Sequence, residues 1–163
     1  MTLSTLRDYK RRSEKFSSLT AYDASFAARI DSAGVDVVLV GDSLGMVIQG
    51  HGSTVPVTVD DIIYHSKAVA RGLQRALLMA DMPFMSYTSP AVALDNAIRL
   101  MQLGGAQMVK LEGNARQLEV VEHLATRDIP VCAHLGLRPQ SVHKIGGFRV
   151  QGREVDAGQE MVD

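Results

Sequence analysis

Short strand-like runs and helix-period segments alternate along this chain from one end to the other, and that alternation limits its fold more than any other feature. FSSLTAY from residue 16, DVVLVGD from 36, ALLMADM from 76, QMVKLEG from 107 and PVCAHLG from 130 read as strands. Between them lie helices. Asp23 caps one in which Phe26, Ile30 and Ala33 share a face and Gly34 supplies the stop. Thr58, with Asp61 three residues on, has the form of a capping box, and Val59, Ile62, Ile63, Val69, Ala70 and Leu73 then follow on one side. Pro90 suits a first helical turn, Ala93, Ala97, Leu100 and Met101 keep helical spacing, and Gly104-Gly105 ends the segment. A fourth helix is predicted from Asn114 to about Arg127, with Leu118, Val121 and Ala125 inward.

Strands that alternate with helices pair in parallel, because parallel neighbours need a crossover and the crossover is normally a right-handed helix. Two architectures fit. An open doubly wound sheet of five strands is complete at 163 residues, whereas a (β/α)8 barrel typically takes about 250. Against the open sheet, no Gly-x-Gly-x-x-Gly follows the first strand, and polar residues gather at the C-terminal ends of several strands, where barrels build their sites. If the fold is a barrel, residues 1–163 form a single incomplete domain of about five β/α units.

Composition narrows the partners. With 46% hydrophobic and 21% charged residues and a formal net charge of −1, the chain reads as one globular domain without a nucleic-acid or basic membrane surface. A small molecule is the expected partner. Cys132 is the single cysteine, which excludes an intramolecular disulfide and fits a reducing compartment, so a cytoplasmic location is expected. The opening MTLSTLRDYKRRSEKF lacks a signal-peptide core, and no segment approaches the roughly 20 apolar residues of a membrane span. The expectation is a protein neither exported nor inserted.

The strand ends carry Thr20, Tyr22 and Asp23, then Asp42 and Ser43, then Asp81, then Lys110 and Glu112, then His134. Side chains alternate along a strand, so Lys110 and Glu112 point the same way. Three carboxylates with one lysine in a desolvated site call for another positive charge. Hard oxygen donors without a cysteine or histidine pair at zinc spacing favour Mg2+, and Lys110 is then free to anchor a substrate carboxylate. Each residue also has a plainer reading. Asp42 in VGDSLG suits a turn beside glycine, and Asp81 before Met82-Pro83 can cap or turn. Lys110 and Glu112 can pair on a solvated edge strand, and His134 reads as a core histidine. Their shared place at strand ends is what favours a site. His51, His143, Lys144 and Arg149, near glycine-rich loops, would suit an anionic co-substrate, while Met79, Met82, Met85 and Met101 read as core filler.

LTAYDASFA, VGDSLGMVIQGHGSTVPVTVDDI, ADMPFMSY, MVKLEG, CAHLGLRPQSV and GGFRVQGR resemble, in order and spacing, the first three-fifths of ketopantoate hydroxymethyltransferases. The resemblance covers nearly the whole chain. It implies a (β/α)8 TIM barrel of the phosphoenolpyruvate mutase and isocitrate lyase type, found in the family as a cytoplasmic homo-oligomer, typically a decamer. By the same resemblance Asp42, Asp81 and Glu112 stand at Mg2+ positions, and Asp42, Ser43, Asp81 and Lys110 at ketoacid-binding positions. The implied reaction moves a one-carbon unit from 5,10-methylenetetrahydrofolate to 3-methyl-2-oxobutanoate, giving 2-dehydropantoate in pantothenate biosynthesis through a Mg2+-stabilised enolate. The family's catalytic base is a glutamate on a strand beyond the segment ending at residue 163, so the 163-residue chain is expected to bind metal and ketoacid poorly and to turn over negligibly unless a partner supplies the rest. Two other readings are a catalytically inactive binding or assembly subunit and a Mg2+-dependent ketoacid lyase or mutase of the same barrel type. IQGHGSTVPVTVDDI argues against the last.

Overall fold

The computed structural model describes residues 1–162. Its elements run α1 (Leu3–Arg11), β1 (Ser18–Thr20), α2 (Ala24–Ser32), β2 (Val37–Val40), α3 (Leu44–Val47), α4 (Val59–Gly72), β3 (Leu77–Asp81), α5 (Pro90–Gln102), β4 (Met108–Glu112), α6 (Leu118–Ala125), β5 (Val131–His134), α7 (Val142–Ile145) and α8 (Val155–Val162). All five predicted strands are present, and they pair in parallel in the order β1-β2-β3-β4-β5. A doubly wound sheet reverses its strand order at a switch point; this sheet does not. The winding is that of a barrel.

Register explains where the polar residues go. Thr20 lies beside Leu39, Leu39 beside Met79 and Met79 beside Met108, while one pleat further along Asp81 lies beside Lys110 and Lys110 beside Cys132. Glu112 lies beside His134 beyond them. Because the side-chain period is two, all of these share one face of the sheet. Val38, Val40, Leu78, Ala80, Val109 and Leu111 point to the other face, where α2, α4, α5 and α6 bury them against Ala27, Ile62, Ala97 and Leu124. Each fully buried Val, Leu or Ile there stabilises by about 1.5–3 kcal/mol.

The site face is itself divided. Near the strand starts it is apolar, Val37, Leu77, Met79 and Met108 packing against Met1, Leu3 and Leu6. Helix α1, which the sequence reading left unassigned, therefore plugs this end, with Thr2 accepting from the Thr5 N–H at its cap. Toward the strand ends the same face turns acidic.

The capping box of Thr58 and Asp61 forms as expected, and Ser89 caps α5 ahead of Pro90. Two helix faces differ from expectation. In α2 Phe26 is 66% exposed, and Ala27 and Asp31 turn inward. Small residues are needed there because α2 lies against α4 so closely that a Cβ on Gly72 would stand 2.4 Å from the Ala24 carbonyl oxygen. In α6 the buried pair is Val120 and Leu124, while Leu118 and Ala125 are exposed. A 3-10 turn over Ala115–Gln117 precedes the helix and shifts its phase. Met85 is also exposed, with φ 62°, whereas Met79 and Met82 are core as expected. Among the described residues no helix is long and apolar enough to cross a membrane.

Asp31 accepts hydrogen bonds from the N–H groups of Gln74, Arg75 and Ala76 and so ties α2 to the start of β3. Burial works to raise its pKa, but the N–H groups of Ala76, Arg75 and Gln74 outweigh it and hold the carboxyl below the ordinary 3.8. Asp31→Ala is expected to cost about 1–3 kcal/mol at neutral pH. A depressed folded pKa adds stability above the unfolded carboxylate range and loses it as pH falls through the folded value. Urea denaturation at pH 7 and below pH 3 should therefore show the gap between wild type and variant narrowing in acid. An equal gap at both would place the effect in packing instead.

Candidate functional site

Four strand ends and one loop build the polar end of the face. Gly41 follows β2, and a Cβ there would come within 3.2 Å of Ser43 Oγ and 3.6 Å of Asp81 Oδ2, so glycine keeps space open above the carboxylate. The chain then turns into α3, and the Asp42 N–H donates to Asp81 Oδ2 at 3.2 Å. Lys110 Nζ donates to both oxygens of Asp81, at 2.8 and 3.0 Å. Asp81 is buried and Lys110 largely so, with side-chain exposures of 3% and 13%. The ammonium that the sequence reading left free for an anion is thus already paired, because Asp81 and Lys110 are register partners on adjacent strands. Glu112 Oε1 lies 3.2 Å from His134 Nδ1, again a register pair. Ser43 Oγ lies 2.7 Å from the Tyr22 hydroxyl, at the edge of the cluster.

A residue absent from the expected set binds these groups together. Gln140, in the 3-10 turn Pro139–Ser141 after β5, donates from Nε2 to Asp42 Oδ2 and to the Met82 carbonyl, both at 2.9 Å. Its main-chain N–H donates to Glu112 Oε2 at 3.0 Å, and Tyr87 donates its hydroxyl to Gln140 Oε1 at 2.5 Å. Gln140 and Tyr87 lie in CAHLGLRPQSV and ADMPFMSY, yet neither carries a periodic or spacing signal. The remaining candidates play other parts. Asp23 caps α2, and Thr20, His51, His143, Lys144 and Arg149 are exposed. A cavity of about 170 Å3 opens beside Glu112 and Gln140, walled by Phe84, Met85, Tyr87 and Arg138.

Three buried carboxylates against one ammonium leave an excess of negative charge. Burial and the neighbouring Asp81 push the Asp42 carboxyl up to about 7, against the hydrogen bond from Gln140 and the charge of Lys110. Burial likewise raises Asp81, although Lys110 opposes it. Burial works against the Lys110 ammonium, but the charges of Asp81, Glu112 and Asp42 hold its pKa above the ordinary 10.5. Burial, with Glu112 nearby, raises Tyr87, so its hydroxyl stays a proton donor. Cys132, beside Lys110 in register, is raised by burial, which favours the thiol over the thiolate.

Among the described residues no three His, Cys, Asp or Glu side chains converge as a ready cage for an ion. The donor set nevertheless fits a hard divalent cation. Asp42 and Asp81 are adjacent all-oxygen donors carrying more negative charge than Lys110 neutralises, and a cation beside them would favour the ionised Asp42 against the burial and the Asp81 charge that raise it.

A family model described as ketopantoate hydroxymethyltransferase matches residues 1–163. The 3-methyl-2-oxobutanoate hydroxymethyltransferase of Shewanella loihica is 61% identical over 163 residues, which is 100% of this chain and 61% of that protein. The enzyme of the same name from Nitrosococcus oceani is 64% identical over 154 residues, covering 94% of this chain and 58% of that one. The chain therefore spans about three-fifths of the length of these curated relatives. Among solved structures, 2,3-dimethylmalate lyase, a PEP mutase/isocitrate lyase superfamily member, superposes with a TM-score of 0.59 at 17% identity, covering 80% of this chain and 51% of that one. Oxaloacetate acetylhydrolase with the product oxalate superposes with a TM-score of 0.56 at 14% identity, covering 73% and 47%. At such identities the likeness is one of fold, a parallel α/β arrangement consistent with part of a barrel.

Proposed function

Because this chain belongs to the ketopantoate hydroxymethyltransferase family, we propose that its acidic strand ends form the ketoacid half of a one-carbon transferase site. The reaction is transfer of the methylene of 5,10-methylenetetrahydrofolate to C3 of 3-methyl-2-oxobutanoate. The C3–H bond breaks, a C–C bond forms, water supplies the new hydroxyl, and 2-dehydropantoate and tetrahydrofolate leave. The observation that carries this reading is the buried group of Asp42, Asp81 and Glu112 facing the single ammonium of Lys110.

Asp42 and Asp81 would hold Mg2+, with Glu112 adding negative charge nearby. When bound, the ion supplies a Lewis acid at the keto oxygen that makes the C3 proton removable. Lys110 has three N–H donors and directs two at Asp81, so its third can meet the ketoacid carboxylate without breaking the pair. Ser43, steadied by Tyr22, offers a hydroxyl to the same anion. Gly41 leaves the room above Asp81 that the substrate needs. The base that takes the C3 proton is, by family resemblance, a glutamate beyond residue 163. The cytoplasm and a homo-oligomer are the proposed setting.

Calorimetric titration of the 163-residue chain with 3-methyl-2-oxobutanoate is expected to show weak binding with Mg2+ and none with EDTA. Proton NMR in D2O should then show C3 exchange no faster than in the EDTA control, since the proposed base is elsewhere. Binding unaffected by EDTA, or absent with Mg2+, would overturn the site assignment. Metal-dependent exchange would place a base within residues 1–163, where His134 beside Glu112 is the first to substitute.

A further inference from the structure

We propose that Gln140 is the positioning residue of this site: it grips the Asp42 and Glu112 carboxylates by one oxygen each, and Tyr87 sets its orientation. The proposal rests on the reading of the cluster as a cation and ketoacid site and assigns the group that holds its acidic side chains in place.

The chemistry of the neighbours determines how the Gln140 amide lies. The Met82 carbonyl can only accept a hydrogen bond, and so can an ionised Asp42. Both face the same Gln140 atom at 2.9 Å, so that atom must be the NH2 nitrogen. The amide oxygen then faces Tyr87, 2.5 Å away, and the phenol must donate. A reversed amide would set oxygen against two acceptors, and without the Tyr87 hydroxyl the buried amide oxygen would have no donor from that side. Gln140 is 5% exposed and Tyr87 8%, so water does not readily stand in for either.

The same residue reaches the second carboxylate through its backbone, the N–H lying 3.0 Å from Glu112 Oε2. Pro139 opens the 3-10 turn that presents this N–H. One residue on the loop after β5 thereby joins the ends of β2, β3 and β4, through Asp42, Met82 and Glu112. A carboxylate fixed by one oxygen has the direction of its other oxygen fixed as well. Such partners of ligating carboxylates typically change metal affinity by about 10–100-fold when removed.

The test uses the 163-residue chain with Mn2+ as the probe, free ion being counted by electron paramagnetic resonance while melting is followed by circular dichroism. Tyr87→Phe removes a single hydroxyl and is the variant safest for folding; Gln140→Met removes the amide at similar length. Tyr87→Phe is expected to melt within a few degrees of wild type yet bind Mn2+ about 10-fold more weakly. Gln140→Met, where it folds, should be weaker still. Wild-type affinity in Tyr87→Phe would overturn the proposal and leave the site assignment standing. Affinity that falls only in step with melting temperature would overturn it too, as the mark of a merely structural contact. No Mn2+ uptake by the unmodified chain would overturn both the proposal and the site reading beneath it.

Discussion

Lys110→Met is expected to destabilise the chain by about 3–5 kcal/mol at pH 7, because it strips the partner from a carboxylate that cannot reach water. Asp81 receives both of its short hydrogen bonds from Lys110, and its side chain is 3% exposed. Surface pairs such as Arg12–Glu14, with side-chain exposures of 58% and 50%, contribute little by comparison, since water and salt screen them. The size of the loss therefore reports burial of the pair. Its pH dependence reports the cause. Without Lys110 the folded pKa of Asp81, already raised by burial, rises further. A carboxyl whose folded pKa exceeds its unfolded one binds more protons in the native state, so stability recovers as pH falls toward the unfolded value of about 3.9. Urea denaturation between pH 5 and 8 should show the deficit shrinking in acid. A deficit below about 1 kcal/mol with no pH dependence would mean that water reaches Asp81.

Asp42→Asn is expected to act in the opposite sense on stability while removing the proposed ligand binding. In the fold the Asp42 carboxyl titrates at about 7 against an ordinary 3.8, chiefly through burial and then the charge of Asp81. Between those values the native state keeps a proton that the unfolded chain has lost. Stability then declines as pH rises, by about 4 kcal/mol in all, and levels off above about 7. Asparagine has no such titration, and its amide oxygen can still accept from Gln140 Nε2. The variant should be the more stable protein at pH 8 and close to wild type near pH 4. It should also lose Mg2+-dependent ketoacid binding, since the proposed site would keep only Asp81 and Glu112. Saturating Mg2+ should flatten the pH dependence of the wild type by favouring the ionised form of Asp42. If Asp42→Asn gains nothing at pH 8, the carboxylate is solvated and the account of the site's charge is wrong.

The two variants together separate the energetics of the cluster. One removes the only cation among its four groups and the other removes one of three anions, and the expected opposite signs follow from that imbalance alone. A site with this imbalance is less stable empty than a neutral one would be, and it gains stability from whatever positive ligand it binds.

Much of the fold is legible in the residue pattern because the determinants are local. Thr58 and Asp61 satisfy each other's orphan donors within one helical turn, so the start of α4 is written in four adjacent residues. Strand pleating likewise puts Lys110 and Glu112 on one face whatever surrounds them. Helix faces were less legible. Ala27 and Asp31, rather than Phe26, turn inward because α2 and α4 approach closely at Gly72, a distance that neither helix encodes by itself.

What the sequence determined by itself, then, is a parallel α/β chain with acidic strand ends, since caps, periodicity and pleat act over a few residues. Periodicity and caps alone left open sheet and barrel both possible; the motif resemblance implied the barrel, and the unreversed strand order agrees with it. Only tertiary structure decided the pairing of Lys110 with Asp81, which the strand pattern alone leaves open until register sets them side by side. Gln140 lies 98 residues from Asp42 in the chain, and their hydrogen bond exists because successive β/α units bring the loop after β5 back over the end of β2. The physical reason is one of range: local hydrogen bonding and side-chain period fix each element, whereas contacts between distant elements are set by the sum of the crossovers between them.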